Sequence, residues 1–237
     1  MKVITYPTYK HADEADFAGK TAIVIDLLRA TSTIAAALHN GAERVIPVEE
    51  VEDAKILAGS LRETGVISGG ERGGAKLEGF DYGNSPLEYE SAVVQGKTLV
   101  LCTTNGTRAV RKAAAADAVY MGCLNNARAV AQKAAARGRD IAILCSGTAG
   151  YFSVDDVVAA GTIISRILEI TEIESMDDLS HTALWLYEKN RGDLHALLKI
   201  SRPYRTLLGL EAMRDIEYCF QEDILDIVPC YADGEII

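Results

Sequence analysis

Ala22-Ile23-Val24-Ile25-Asp26-Leu27-Leu28-Arg29-Ala30-Thr31-Ser32-Thr33 is the stretch from which the fold can be read. Four apolar residues run without a polar break. A short turn with an acid, a base and hydroxyls follows. The residues from Ile34 to His39 then take a helical pattern. A continuous apolar run that crosses into a helix is the mark of a strand buried on both faces, as in a parallel sheet. The grammar recurs twice. Thr98-Leu99-Val100-Leu101 leads into Cys102-Thr103-Thr104-Asn105-Gly106-Thr107-Arg108 and a helix over 109–116. Ile141-Ala142-Ile143-Leu144 leads into Cys145-Ser146-Gly147-Thr148-Ala149-Gly150 and a helix over 154–169.

The first two segments are echoed further on. Residues 41–48 resemble 116–122 as a helix end entering a strand, and 51–63 parallel 126–137 as a second helix. The offset is about 75 residues. The echo reads either as a duplicated β-α-β-α unit, with halves near 20–95 and 96–170, or as the ordinary grammar of an α/β chain. Beyond residue 170 the pattern is helical, with helices expected over 176–190, 193–199 and 207–215, then a strand over 224–228. No linker divides these parts. The expected fold is therefore α/β, layered as α/β/α with a mostly parallel sheet. One domain spans 1–237, two intertwined halves are one reading of it, and the helical region 171–237 packs back on them.

Composition narrows the function classes. The 237 residues are 49 % hydrophobic and 24 % charged, which suits a globular core. The formal net charge of −10 argues against nucleic acid or an anionic membrane as a partner. The start, Met1 to Pro7, has no signal-peptide pattern, and five cysteines without a C-x-x-C pair read as reduced thiols. A cytoplasmic protein is expected. Whether it forms a homo-oligomer is left open.

Parallel crossovers should bring the three strand-to-helix loops to one edge of the sheet. Helix N-termini, small residues such as Gly106 and Gly147, and the forked donors of Arg29 and Arg108 suit a phosphate or sulfonate. Thr and Ser in these loops read alternatively as helix caps. Carboxylates supply a second theme. Asp26 ends a buried strand, Glu71 lies in the glycine-rich stretch 68–86, and Asp155 and Asp156 open the third helix. That stretch has no apolar period and is expected to be a long functional loop. Oxygen ligands of this kind suit Mg²⁺, although Asp156 also fits a capping box. Cys102 to Arg108 spells a C-x5-R loop, which leaves a thiol phosphatase with Cys102 as nucleophile among the readings. A further alternative is a non-catalytic protein that binds a phosphorylated metabolite. No Walker A, no G-x-G-x-x-G after the first strand and no metal-spaced His pair are found.

Four motifs occur in order: Val24 to Thr33, Gly70-Glu71-Arg72-Gly73-Gly74, Gly83-Asn84-Ser85-Pro86 and Thr103 to Ala109. With Asp155-Asp156, Ala160-Gly161, Ser201-Arg202 and Val228-Pro229, they resemble the 2-phosphosulfolactate phosphatases, a family associated with coenzyme M biosynthesis. The resemblance implies Mg²⁺-dependent hydrolysis of 2-phospho-3-sulfolactate, a small phosphorylated and sulfonated metabolite, to sulfolactate and phosphate. It also implies a dedicated α/β fold.

Carried over by motif, Asp26, Arg29, Glu71 and Arg108 become the catalytic candidates. Asp26, Glu71 and Asp156 become the metal ligands. Arg72, Asn84 and Asn105 become substrate-binding candidates, joined by Thr31, Ser32, Thr104, Gly106, Ser146 and Gly147 of the three strand-to-helix loops. Water is the expected nucleophile, with Ser32, Ser146 and Thr104 as alternatives. Where the family tends to carry Glu-Asp, this chain has Asp155-Asp156.

Overall fold

The computed structural model describes residues 1–61 and 65–237. β1 (Lys2–Tyr6) precedes the first half, which runs β2 (Thr21–Ile25), α1 (Ala30–His39), β3 (Arg44–Val48), α2 (Val51–Ser60), β4 (Val66–Arg72), β5 (Ala75–Lys76) and α3 (Ser91–Val94). The second half runs β6 (Thr98–Cys102), α4 (Gly106–Lys112), β7 (Ala118–Gly122), α5 (Ala127–Ala136), β8 (Ile141–Cys145) and α6 (Val154–Leu168). The remainder holds β9 (Ser175–Met176), α7 (Asp178–Asn190), α8 (Leu194–Leu198), α9 (Arg202–Gly209), α10 (Met213–Cys219), β10 (Cys230–Ala232) and β11 (Glu235–Ile236). The helix expected over 51–63 is seen to Ser60, and positions 62–64 lie outside the described residues.

The protein is α/β, with a large, mixed, mostly parallel sheet in the order β5-β4-β6-β3-β11-β10-β7-β2-β8-β1-β9. β2, β6 and β8 are buried at every residue, as continuous apolar runs require when helices cover both faces. The order exchanges the first strands of the two halves. β2 lies between β7 and β8, and β6 lies between β3 and β4. The registers match: Thr21 aligns with Ala118 and Ile141, while Thr98 aligns with Arg44 and Val66. β2 and β6 are thus not neighbours in the sheet. Their helices α1 and α4 share one core cluster with Val24, Met121 and Leu144 of one block and Val45, Leu99 and Leu101 of the other. A second cluster packs α5, α6 and α7 on the outer face of β2, β8 and β1.

Two expectations are corrected. The glycine-rich stretch is not wholly loop, because Val66–Arg72 is a strand paired in parallel with β6. Its glycines are there for contact. A Cβ on Gly70 would lie 2.4 Å from the Cys102 carbonyl oxygen, and one on Gly69 would lie 1.9 Å from the Tyr89 hydroxyl. Glycines carry no apolar side chain, so the strand shows no period. Secondly, 224–228 is not a strand. The terminal strands are β10 and β11, turned by Asp233 and Gly234, both at positive φ as a type I′ hairpin turn needs. This hairpin runs antiparallel to β7 on one side and β3 on the other and so joins the two parallel blocks. Among the described residues no helix is long and apolar enough to cross a membrane.

The last helices are anchored by close backbone contact. A Cβ on Gly161 of α6 would lie 2.0 Å from the Ala183 carbonyl oxygen of α7. Gly161→Ala should therefore lower the stability by about 2–3 kcal/mol in denaturant unfolding, since backbone must give way. Gly192→Ala, where nothing lies within 4 Å of the added carbon, serves as the near-neutral control.

Candidate active site

The exchange of first strands brings four segments to one cleft of about 200 Å³. They are the turn after β2, the end of β4, the loop after β6 and the loop between β8 and α6. Its lining includes Asp26, Arg29, Glu71, Asn84, Thr104, Asn105, Ser146, Gly147, Asp155 and Asp156, closed on the remaining side by Pro203, Thr206 and Leu207 of α9.

Each carboxylate is placed by its neighbours. Asp26 accepts from the Ala30 N–H at 3.3 Å, and its own backbone N–H donates to Thr31 Oγ1. Glu71 accepts through Oε1 from the Thr104 N–H and hydroxyl, at 2.9 and 2.8 Å, and through Oε2 from the Gly74 N–H at 2.7 Å. Asp156 accepts from the Leu27 N–H, the Gly147 N–H and Ser146 Oγ, so it binds the turn after β2 to the loop after β8. Asp155 accepts the hydroxyls of Ser153 and Ser201. Gly106 is not in the lining but lies against it. A Cβ there would come within 3.0 Å of Asp26 Oδ2 and 2.7 Å of the Ala30 side chain. No larger residue lets α4 approach α1 this closely.

Arg29 is buried. One of its amino groups donates to Asp215 Oδ2 and the other to the Gly74 carbonyl at 2.8 Å. The Leu28–Arg29 peptide bond is cis. Asn84 is buried too, and its Oδ1 accepts no hydrogen bond among the described residues.

Other expected residues stand elsewhere. Arg108 is half-exposed and reaches Glu49 and Glu50 at 3.8 and 3.9 Å, away from the cleft. Arg72 donates to the backbone carbonyls of Glu71 and Glu49 and to Cys102 Sγ, behind the strand that carries Glu71. Thr31 and Ser32 are buried and turn their hydroxyls back to the carbonyls of Asp26 and Leu27. Cys102 is absent from the lining, and burial pushes its thiol up despite the nearby Arg72, which works against a thiolate nucleophile. Sequence reasoning gave no site role to Ser85, Ser201, Asp215 or the α9 wall, although Ser85 and Ser201 stand in motifs that carry the resemblance. Asp215 has no such signal.

The electrostatics follow from burial. Asp26 is pushed up to about 7, first by loss of water and then by Glu71. Asp156 is held well above the usual carboxylate range by burial and by Asp155 and Asp26. Asp155 is raised by burial, against two serine hydrogen bonds. Against four buried acids the cleft sets, among the described residues, one buried cation, Arg29, already matched by Asp215. An anion entering alone would be repelled. The donors are hard oxygens, and Asn84 Oδ1 adds an unmet acceptor, so the residues fit a hard divalent cation. Among the described residues no three His, Cys, Asp or Glu side chains form a preformed cage. Mg²⁺ is commonly held by one or two carboxylates, with substrate oxygens and water completing the shell.

A family model described as 2-phosphosulpholactate phosphatase matches residues 6–234. A protein of Caldanaerobacter subterraneus subsp. tengcongensis named "Probable 2-phosphosulfolactate phosphatase" is 44 % identical over 234 residues, covering 99 % of this chain and 97 % of its own. A protein of the same name from Clostridium acetobutylicum is 42 % identical over 239 residues, covering 100 % of both chains. One from Clostridium novyi, again of that name, is 44 % identical over 229 residues, covering 97 % of this chain and 96 % of its own.

The raised Asp26 fixes a sign for pH. A carboxyl that is easier to protonate in the folded than in the unfolded state costs stability once it must ionise. The cost is absent below its ordinary value of 3.8, grows as pH rises, and is complete above about 7. In metal-free buffer Asp26→Asn should raise stability at pH 8 by on the order of 2 kcal/mol and leave it nearly unchanged at pH 4. Urea unfolding at both pH values checks this; an equal gain at both would show that ionisation is not the cause.

Proposed function

The chain belongs to the 2-phosphosulpholactate phosphatase family, and from that premise we propose that it is a phosphoric monoester hydrolase that releases phosphate from 2-phospho-3-sulfolactate, or a small 2-phospho acid like it, with Mg²⁺ bound at the cleft. One observation carries the reading: Asp26, Glu71, Asp155 and Asp156 are buried around one cleft whose single buried arginine is already matched.

Asp26, Glu71 and Asp156 are the residues that would hold the ion, with Asn84 Oδ1 as a further oxygen. Each of the three carboxylates keeps an oxygen with lone-pair capacity beyond the hydrogen bonds it accepts: Glu71 through Oε2, Asp156 through Oδ1, and Asp26 beside the bond from Ala30. A bound Mg²⁺ supplies charge that offsets the phosphoryl group and polarises it. The chain's own residues do the rest. Arg29 is fixed at the cleft with guanidinium donors left over for an equatorial phosphoryl oxygen. Asp156 and Glu71 hold the loops on either side by their backbone N–H groups, so that the site is set before substrate arrives. The α9 wall covers the open side with Pro203 and Leu207 and limits water around the ester. Water is the favoured nucleophile; the hydroxyls of Thr104 and Ser146, which donate to Glu71 and Asp156, are the alternatives.

A purely anion-binding protein fits less well, because four buried acids weaken anion binding unless a cation is present. A Cys102 enzyme fits less well still, since that thiol lies outside the cleft.

Phosphate release from 2-phosphosulfolactate should require Mg²⁺ and stop with EDTA. Glu71→Gln should lower kcat by at least ~100-fold with the protein still folded; activity that survives both treatments would reject the metal reading. Calorimetric titration of Mg²⁺ near pH 7, in two buffers of different ionisation enthalpy, should show protons released as the ion displaces them from Asp26 and its neighbours. Binding without proton release would place the ion elsewhere.

A further inference from the structure

Asp215 does not line the cleft, yet it holds Arg29, which does, and Ser85, the neighbour of Asn84 in the lining. It lies in α10, is 6 % exposed, and sits 186 positions along the chain from Arg29. Its Oδ2 accepts from the Arg29 guanidinium, and its Oδ1 accepts from Ser85 Oγ at 2.6 Å. Ser85 directly follows Asn84, whose carbonyl accepts from Thr33 Oγ1 at 2.8 Å. The second amino group of Arg29 is tied to the Gly74 carbonyl, and the Gly74 N–H is tied to Glu71. One carboxylate thus anchors the guanidinium and steadies the turn that carries Asn84.

The need for such an anchor follows from charge. A guanidinium beside Asp26, Glu71, Asp155 and Asp156 is drawn toward them, and once paired there it would be lost to substrate. A buried carboxylate on the far side pulls it the other way and fixes its plane. We propose that Asp215 is a positioning residue for phosphate-ester hydrolysis, keeping Arg29 off the cleft acids and aimed at the phosphoryl oxygens. The proposal rests on the phosphatase reading and adds to it a residue from the C-terminal helices.

Asp215→Asn should lower kcat/KM by roughly 10- to 100-fold, as loss of a supporting partner typically does, with KM and the inhibition constant of inorganic phosphate both rising. The double-mutant cycle with Arg29→Ala separates positioning from general damage. If Asp215 acts through Arg29, adding Asp215→Asn to Arg29→Ala should cost less than about threefold more. A loss of the same size in both backgrounds, or no loss in either, overturns the proposal. Should Asp215→Asn not fold, Ser85→Ala in the same cycle reads the coupling, with a several-fold loss expected only when Arg29 is present. If the wild type releases no phosphate from 2-phosphosulfolactate, the phosphatase reading is what fails. Calorimetric binding of inorganic phosphate to the same four proteins then still reads the coupling, and equal effects of Asp215→Asn with and without Arg29 reject the positioning role.

Discussion

Like charges repel most where water cannot screen them, and Asp26, Glu71, Asp155 and Asp156 are kept out of water around one small cleft. A fold tolerates this only if each oxygen has donors and the surplus charge has an answer. The donors come from the backbone N–H groups of Leu27, Ala30, Gly74, Thr104 and Gly147, and from the hydroxyls of Ser146, Ser153 and Ser201. The surplus charge is answered in part by protons, as the raised Asp26 indicates, and in the proposed mechanism by a divalent ion. The loops are therefore shaped around their acids.

The strand exchange makes this crowding geometrically feasible. Each half lends its first strand to the other's block, so the turns after β2 and β6 meet although the strands are not neighbours. Gly106 marks the point of contact, where α4 comes down on Ala30 and Asp26. Gly70 plays the matching part on β4, whose backbone lies flat against β6 and delivers Glu71 to the cleft. Small residues at both places are a condition of the acids meeting.

The C-terminal helices do more than cover the core. Ser201 at the start of α9 holds Asp155, Leu207 and Pro203 wall the cleft, and Asp215 of α10 holds Arg29. Their hydrophobic faces pack into the cluster formed by α5, α6 and α7. The stability of this region and the geometry of the site are consequently linked through a few polar contacts at its edge.

The strands β2, β6 and β8 and their helices were legible because burial on both faces demands unbroken apolar runs, and that demand is local. Asp26 was legible as unusual, since a carboxylate at the end of such a run must have a reason, while Glu71 and Asp156 stood out only as acids in a glycine-rich stretch and at a helix start. The strand β4 was not, because its contacts are made by backbone and its glycines leave no periodic trace. Nor were the displaced positions of Arg108 and Arg72, the hairpin β10–β11 or the Asp215 anchor. A local sequence states which side chains an element can bury; which distant charge an arginine will meet depends on how strands from two halves interleave, and only the folded chain decides that.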